Sequence, residues 1–202
     1  MIRDSEDVAL LSALVEAQER GFFGPGPVVD HVVHARRLSP ALPSTGLGID
    51  LGSGGGVPGL VFALDHPGME WIFVESQERR AGWLSEAIAW IGLTNVVVRR
   101  ERVELTGRSA VRGSATVVTA RSFAPPAVTA ECGAPLLAPQ GCLWVSEPPE
   151  PAATRWPPDG LTVLGLARRA PEAQSWVGLE RVGPCPERYP RRVGIPSKRP
   201  LF

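Results

Sequence analysis

Apolar positions along the chain change their spacing near residue 45. Over 5–20, Val8, Leu11, Leu14 and Val15 recur at three- and four-residue intervals, the period of a helix with one buried face. FFGPGP at 22–27 breaks that run, because glycine and proline favour turns. A second short helix is predicted over 28–38, stopping near Pro40 and Pro43. Beyond it, short apolar runs alternate with amphipathic stretches. Residues 47–51 read as a buried strand that carries Asp50 near its end and opens into a glycine loop. Residues 57–65 follow as a helix, with Pro58 in its first turn, where a missing amide costs nothing. A strand at 71–74 ends at Glu75, and 77–91 is helical with Trp83, Leu84, Ile88 and Ile91 on one face. Further strands are predicted at 95–98, 115–119 and 142–145, with a crossover helix over 127–137 before the last of them. After a proline-rich stretch at 146–160, residues 161–166 and 175–182 read as an antiparallel pair at the sheet edge.

Repeated strand–helix–strand units with wholly apolar strands imply a parallel sheet covered by helices on both faces. The expected fold is therefore α/β: a doubly wound, mostly parallel, seven-stranded Rossmann-like sheet with a short N-terminal helical cap. The cap would take residues 1–44 and one compact unit residues 45–202. A composition of 44% hydrophobic and 21% charged residues supports a real core and excludes disorder over most of the chain. No uninterrupted apolar window is long enough for a membrane span, so no membrane partner is expected. The acidic start MIRDSEDVALL lacks the basic opening of a signal peptide, which leads to the expectation of a cytoplasmic protein.

Charge and cysteine usage narrow the chemistry. Cys132, Cys142 and Cys185 lack a CxxC spacing and read as reduced thiols. His31 and His34 lie one helical turn apart without an HExxH-like partner, so no metal site is expected. Basic and acidic residues balance at 21 each, yet the end of the chain is basic through Arg181, Arg188, Arg191, Arg192, Lys198 and Arg199. Arg191, Arg192, Lys198 and Arg199 are candidates to meet RNA phosphates, as are Arg99, Arg100, Arg102, Arg108 and Arg112. Trp71, Trp83 and Trp90 sit in settings that favour the core.

The strongest local signal is GIDLGSGGGVPG at 48–59. A strand that ends in glycines and opens into a helix lets a ligand approach the backbone, and Gly54, Gly56 and Gly59 satisfy GxGxxG. Glu75, 21 residues beyond Gly54, is placed to bond a ribose hydroxyl. Nicotinamide and S-adenosylmethionine enzymes share this arrangement, so the pattern alone separates neither. Asp50 leans towards S-adenosylmethionine, since a carboxylate there offsets the positive charge of that ligand and disfavours a pyrophosphate. Little chain also remains after the fifth strand for the substrate domain that a dehydrogenase generally carries. A nicotinamide oxidoreductase, and a non-catalytic RNA- or protein-binding module on the same fold, are the readings that compete.

DLGSGGGVPG, FVESQERRAGWL, NVVVRRERVEL, VVTARSFAP and YPRRVGIPSKRPL, in that order, resemble the RsmG (GidB) family, bacterial methyltransferases acting on guanine N7 of small-subunit rRNA, and the resemblance runs from about residue 29 to 201. The resemblance implies the class I methyltransferase fold, S-adenosyl-L-methionine as cofactor, and 16S rRNA or the small ribosomal subunit as partner, with no DNA. A compact fold with a basic tail implies a monomer. Carried over by residue, Gly52 and Val57 would line the methionine side of the cofactor, Glu75 its ribose, and Val103 with Glu104 its adenine. Arg121 matches the family arginine at the reaction centre, both catalytic and cofactor-binding, and is expected to orient the base near guanine O6. The chain departs from the family pattern at His34 and Ala35, which replace Asp and Ser. It departs again at Ser146 and Glu147, which replace Lys-Gly.

Overall fold

A computed structural model describes residues 5–150, 152–170 and 175–202. Its elements in chain order are α1 (Ser5–Glu19), α2 (Val28–Arg36), β1 (Gly46–Leu51), α3 (Gly59–Asp65), β2 (Met69–Val74), α4 (Glu78–Ile91), β3 (Val96–Arg99) and α5 (Val103–Thr106). They continue with β4 (Ala115–Ala120), α6 (Pro126–Gly133), β5 (Leu137–Ser146), α7 (Pro158–Thr162), β6 (Leu166–Arg168), β7 (Trp176–Arg181) and α8 (Ile195–Lys198). The seven strands form one sheet in the order β3-β2-β1-β4-β5-β7-β6. β1 to β5 pair in parallel, while β7 runs antiparallel to both β5 and β6.

Strand side chains alternate between two covered faces, as the uniform apolarity of the strands requires. On one face Trp71, Phe73, Val117 and Trp144 pack under α1 to α4; on the other Ile72, Val74, Val118, Leu143 and Val145 pack under α6 and α7. The N-terminal helices are part of this packing: Leu10, Leu14, Val32 and Ala35 belong to the same core as Phe62 and Trp83.

The structure corrects the sequence reading at four places. Val8 and Val15 are about half exposed, and α1 instead buries Leu10, Ala13, Leu14 and Ala17. Ala13 and Ala17 lie on that stripe, and small buried residues escape a count of large apolar ones. Trp90 is 53% exposed, because the buried face of α4 runs through Ala81, Trp83, Leu84, Ala87 and Ile91. The expected strand at 161–166 is largely absent. Pro158 opens α7 instead, the chain turns at Gly165 (φ +73°), and β6 begins only at Leu166. The crossover helix α6 is shorter than expected, ending at Gly133, and β5 starts earlier at Leu137. Among the described residues, no helix is long and apolar enough to cross a membrane.

Candidate functional site

Strand order reverses between β1 and β4, so the loops after these strands diverge and leave a crevice at their carboxyl ends. The loop after β1 begins by hydrogen bonding to the end of β2: the amides of Gly52 and Ser53 donate to the Val74 carbonyl at 2.8 and 3.2 Å. Gly52 then takes φ +63°, and a Cβ there would stand 2.7 Å from the Phe123 ring. Side-chain-bearing residues are therefore excluded at this position on two counts. Gly56 lies behind the loop against Leu60. Gly54 also takes a positive φ, +54°, and a Cβ there would make ordinary contacts with the Gly52 and Phe22 carbonyls at 3.6 and 3.8 Å.

Glu75 braces the loop from β2. One carboxylate oxygen accepts the Gly54 amide at 3.0 Å and the other the Gln77 amide at 2.7 Å. Each oxygen retains a lone pair. Glu75 borders a cavity of about 380 Å³ together with Gly52, Val103, Glu104 and Phe123. Cys132 also borders it, but burial pushes that thiol far above its ordinary range, which leaves it unreactive. Glu104 is buried, and one of its oxygens accepts the Gly194 amide at 3.0 Å. Burial opposes its ionisation, but the Gly194 and Glu104 amides and Arg102 outweigh it and hold the carboxyl below the usual range. The C-terminal segment thus fences the cavity, with Ser197 on its wall.

Asp50 lies beneath the loop and out of the cavities. It is 1% exposed, and its Oδ1 accepts the Thr119 hydroxyl at 2.6 Å. Burial pushes its carboxyl up to about 6, against the stabilising bonds from Thr119, Ser53 and Gly59. An influence of Asp50 on a bound cation would act through the loop and without contact.

A second cavity of about 230 Å³ adjoins the first, sharing Gly52, Arg80 and Ser122 with it. Its walls are the glycine loop, Val57, the residues Phe22 to Gly24, His31 and Arg121. Phe23 sits on the loop so closely that a Cβ on Gly55 would be 2.3 Å from its ring. Gln18 pins this cover to α1 through bonds of 2.9 Å to the carbonyls of Gly24 and Gly26. Arg121 therefore stands against the glycine loop. It does not border the third cavity, of about 360 Å³, which lies on the far side of Ser122 and Phe123 and includes Thr129, Ser146, Glu147 and Arg155. Ser122, at the junction of all three, takes φ +52°, an uncommon conformation for a residue with a side chain.

Phe22, Phe23, Arg80, Ser122 and Phe123 escaped the sequence reading. The doubled aromatic beside GPGP was the one available signal, and it reads as a chain breaker until tertiary packing folds it over the glycines.

The arginine clusters are largely committed within the protein. Arg112 donates to the carbonyls of Gly107, Tyr189, Cys185 and Pro186, and Arg108 to that of Pro190. Arg100 pairs with Glu78 at 2.8 Å on the surface, and Arg99 reaches Glu101. Arg191 grips the fully buried Glu131 with bonds of 2.8 and 2.6 Å, and also donates to the Arg199 carbonyl. Arg192, Lys198 and Arg199 remain on the outer face of the C-terminal segment. Two of the departures from the family pattern meet each other: His34 Nε2 and Ser146 Oγ are 2.8 Å apart. Glu147 accepts the Trp156 indole N–H and pairs with Arg155, both at 3.0 Å.

A profile of the GidB family, rRNA small subunit methyltransferase G, matches residues 27–146. A ribosomal RNA small subunit methyltransferase G from Syntrophomonas wolfei is 36% identical over 167 residues, covering 76% of this chain and 76% of the relative. Its counterpart from Chloroflexus aggregans is 36% identical, covering 76% of this chain and 68% of the relative. Among solved structures, a variant of MtNAS in complex with S-adenosylmethionine superposes with a TM-score of 0.59 at 15% identity, over 92% of this chain and 77% of that one. At that identity the likeness speaks for the fold.

Proposed function

The chain belongs to the GidB family of rRNA small subunit methyltransferases, and on that footing we propose that it transfers a methyl group from S-adenosylmethionine to N7 of a guanine in 16S rRNA. The observation that carries this reading is the pair of joined cavities built on the glycine loop. Their donor set fits the cofactor. Glu75 offers ribose hydroxyls two acceptor oxygens already fixed by backbone amides, and a nucleoside is of the size that a 380 Å³ cavity takes. Val103 and Glu104 supply an apolar wall and a carboxylate for the adenine, and Gly52, Gly54 and Val57 border the path of the amino-acid end.

Bound there, S-adenosylmethionine supplies an electrophilic methyl group on a sulfonium. Guanine N7 carries a free lone pair and loses no proton before attack, so the chain needs no general base. What its residues contribute is position, and alignment of two reactants can supply several kcal/mol of barrier lowering. The third cavity is the place for the base. Phe123 and Ala124 border both it and the cofactor cavity, so a purine there and the cofactor would share one wall. Arg121 serves the cofactor side, and the expected contact with guanine O6 gives way to this placement. Arg192, Lys198 and Arg199 are the tail residues offered to phosphate. The protein works on its rRNA as a monomer in the cytoplasm.

The test is transfer of labelled methyl from S-adenosylmethionine to 16S rRNA or small subunits, with N7-methylguanosine located by borohydride and aniline scission. Label and scission at one guanine are expected, and RNA affinity should weaken steeply with salt through counterion release. Binding of NADH, or no transfer to either RNA form, would overturn the reading.

A further inference from the structure

Arg121 is a half-buried cation whose one described side-chain partner is a neutral ring. Its Nη2 lies 2.6 Å from His31 Nδ1, and no carboxylate pairs with it among the described residues. A guanidinium has donors only, so His31 Nδ1 must present its lone pair and the ring must carry its proton on Nε2. That Nε2 is buried and makes no hydrogen bond, with the Gly24 carbonyl nearby exerting only a weak pull on the ring. The cavity these two residues border also holds Arg80, and neither Asp nor Glu lies on its walls. Two guanidiniums facing a small space without an anion form a receptor for one. The space adjoins the nucleoside cavity at Gly52. Resting on the cofactor assignment above, we propose that His31 is a positioning residue: as the neutral Nε2–H tautomer it holds Arg121 over the glycine loop, where the guanidinium receives the carboxylate of the cofactor's amino-acid end.

The arrangement has a built-in pH dependence. Burial and the Arg121 charge hold His31 below its ordinary range, while Asp30 on its own helix pulls the other way. The other neighbours are the Phe23 ring, 5.3 Å away edge-on, His34 one turn along α2, and Arg80 across the cavity. Protonation of Nδ1 would remove the acceptor and set two cations 2.6 Å apart, so Arg121 would be released from its place.

Calorimetric titration with S-adenosylhomocysteine and with 5′-methylthioadenosine, which lacks the amino-acid end, tests this. At pH 7.5 His31→Phe should weaken S-adenosylhomocysteine tenfold or more and leave methylthioadenosine within twofold, while His31→Asn, which keeps an acceptor near Nδ1, restores most of the loss. Acidification far enough to protonate Nδ1, followed by its nitrogen shift, should weaken S-adenosylhomocysteine on the wild-type protein but not on His31→Asn. Nitrogen NMR at pH 7.5 should report an unprotonated Nδ1. Equal losses of both ligands in His31→Phe, an unaffected S-adenosylhomocysteine affinity, or a protonated Nδ1 would each overturn the positioning role while the cofactor assignment stands. Failure of the wild-type protein to bind either ligand, with 16S rRNA absent or present, would overturn both.

Discussion

Gly52 holds left-handed backbone at φ +63° and touches the Phe123 ring, so one methyl group there has two costs. The left-handed conformation alone costs an L-residue about 1–2 kcal/mol, and relief of the clash would displace Phe123, which lines the 380 Å³ cavity. Gly52→Ala should therefore bind S-adenosylhomocysteine at least about tenfold more weakly by calorimetry; an unchanged constant would remove Gly52 from the site. His34 carries a prediction of a different kind. Burial, with Arg121, Arg37 and His31 adding to it, pushes its ring down to about 4. An unfolded imidazole takes its proton near pH 6.5, so the stability tied to neutral His34 is complete above about 6.5 and is lost as pH falls towards 4. Asp50 runs the other way. Its folded value near 6 means a contribution that is present below about 4 and lost as pH rises through 6. Urea denaturation across pH 4–7 should show a shallower acid loss in His34→Gln than in the wild-type protein, and identical slopes would exclude His34 as a source of the loss.

At the scale of elements, the decisive object is the 22–26 cover. It has no regular structure, yet Gln18 pins it to α1 and Phe23 seals the glycine loop. Phe22 lies beneath the Arg79 guanidinium, 5.9 Å from its ring centre. A cover that touches the bound ligand slows its escape, because affinity changes within one site act mainly on dissociation. Phe23→Ala should raise the dissociation rate of S-adenosylhomocysteine about tenfold with little change in association, measured by stopped flow. Equal rises in both rates would mean that the cover is only a barrier and holds no part of the ligand. FFGPGP was legible as a break between two helices, but nothing local says where a break packs. The α1 stripe illustrates the same limit. Its helical period is right, yet the buried face runs through Ala13 and Ala17 and leaves Val8 and Val15 about half exposed, because elements distant in sequence decide which stripe meets the core.

Across the whole molecule, the C-terminal segment closes the site from the far side of the chain. Arg191 pairs with Glu131, which is fully buried in α6, and the Gly194 amide reaches Glu104 on the wall of the 380 Å³ cavity. Arg191→Met would leave a buried carboxylate without its cation, at a cost of about 3 kcal/mol, read as a lower urea midpoint, and Glu131→Gln in the same chain should recover part of it. A loss below about 0.5 kcal/mol would mark the pair as a surface contact instead. Much of this protein was set by local sequence. The number of strands, their parallel order through β5, the antiparallel edge and the glycine loop facing Glu75 follow from apolar periodicity and from glycine's backbone freedom, properties of neighbours in the chain. Tertiary structure alone decided which arginines are spent inside the fold, that Asp50 lies under the loop, and that His31 holds Arg121 across 90 residues of chain. A charged side chain is assigned its partner by burial and proximity in space, and neither is written in the spacing of residues.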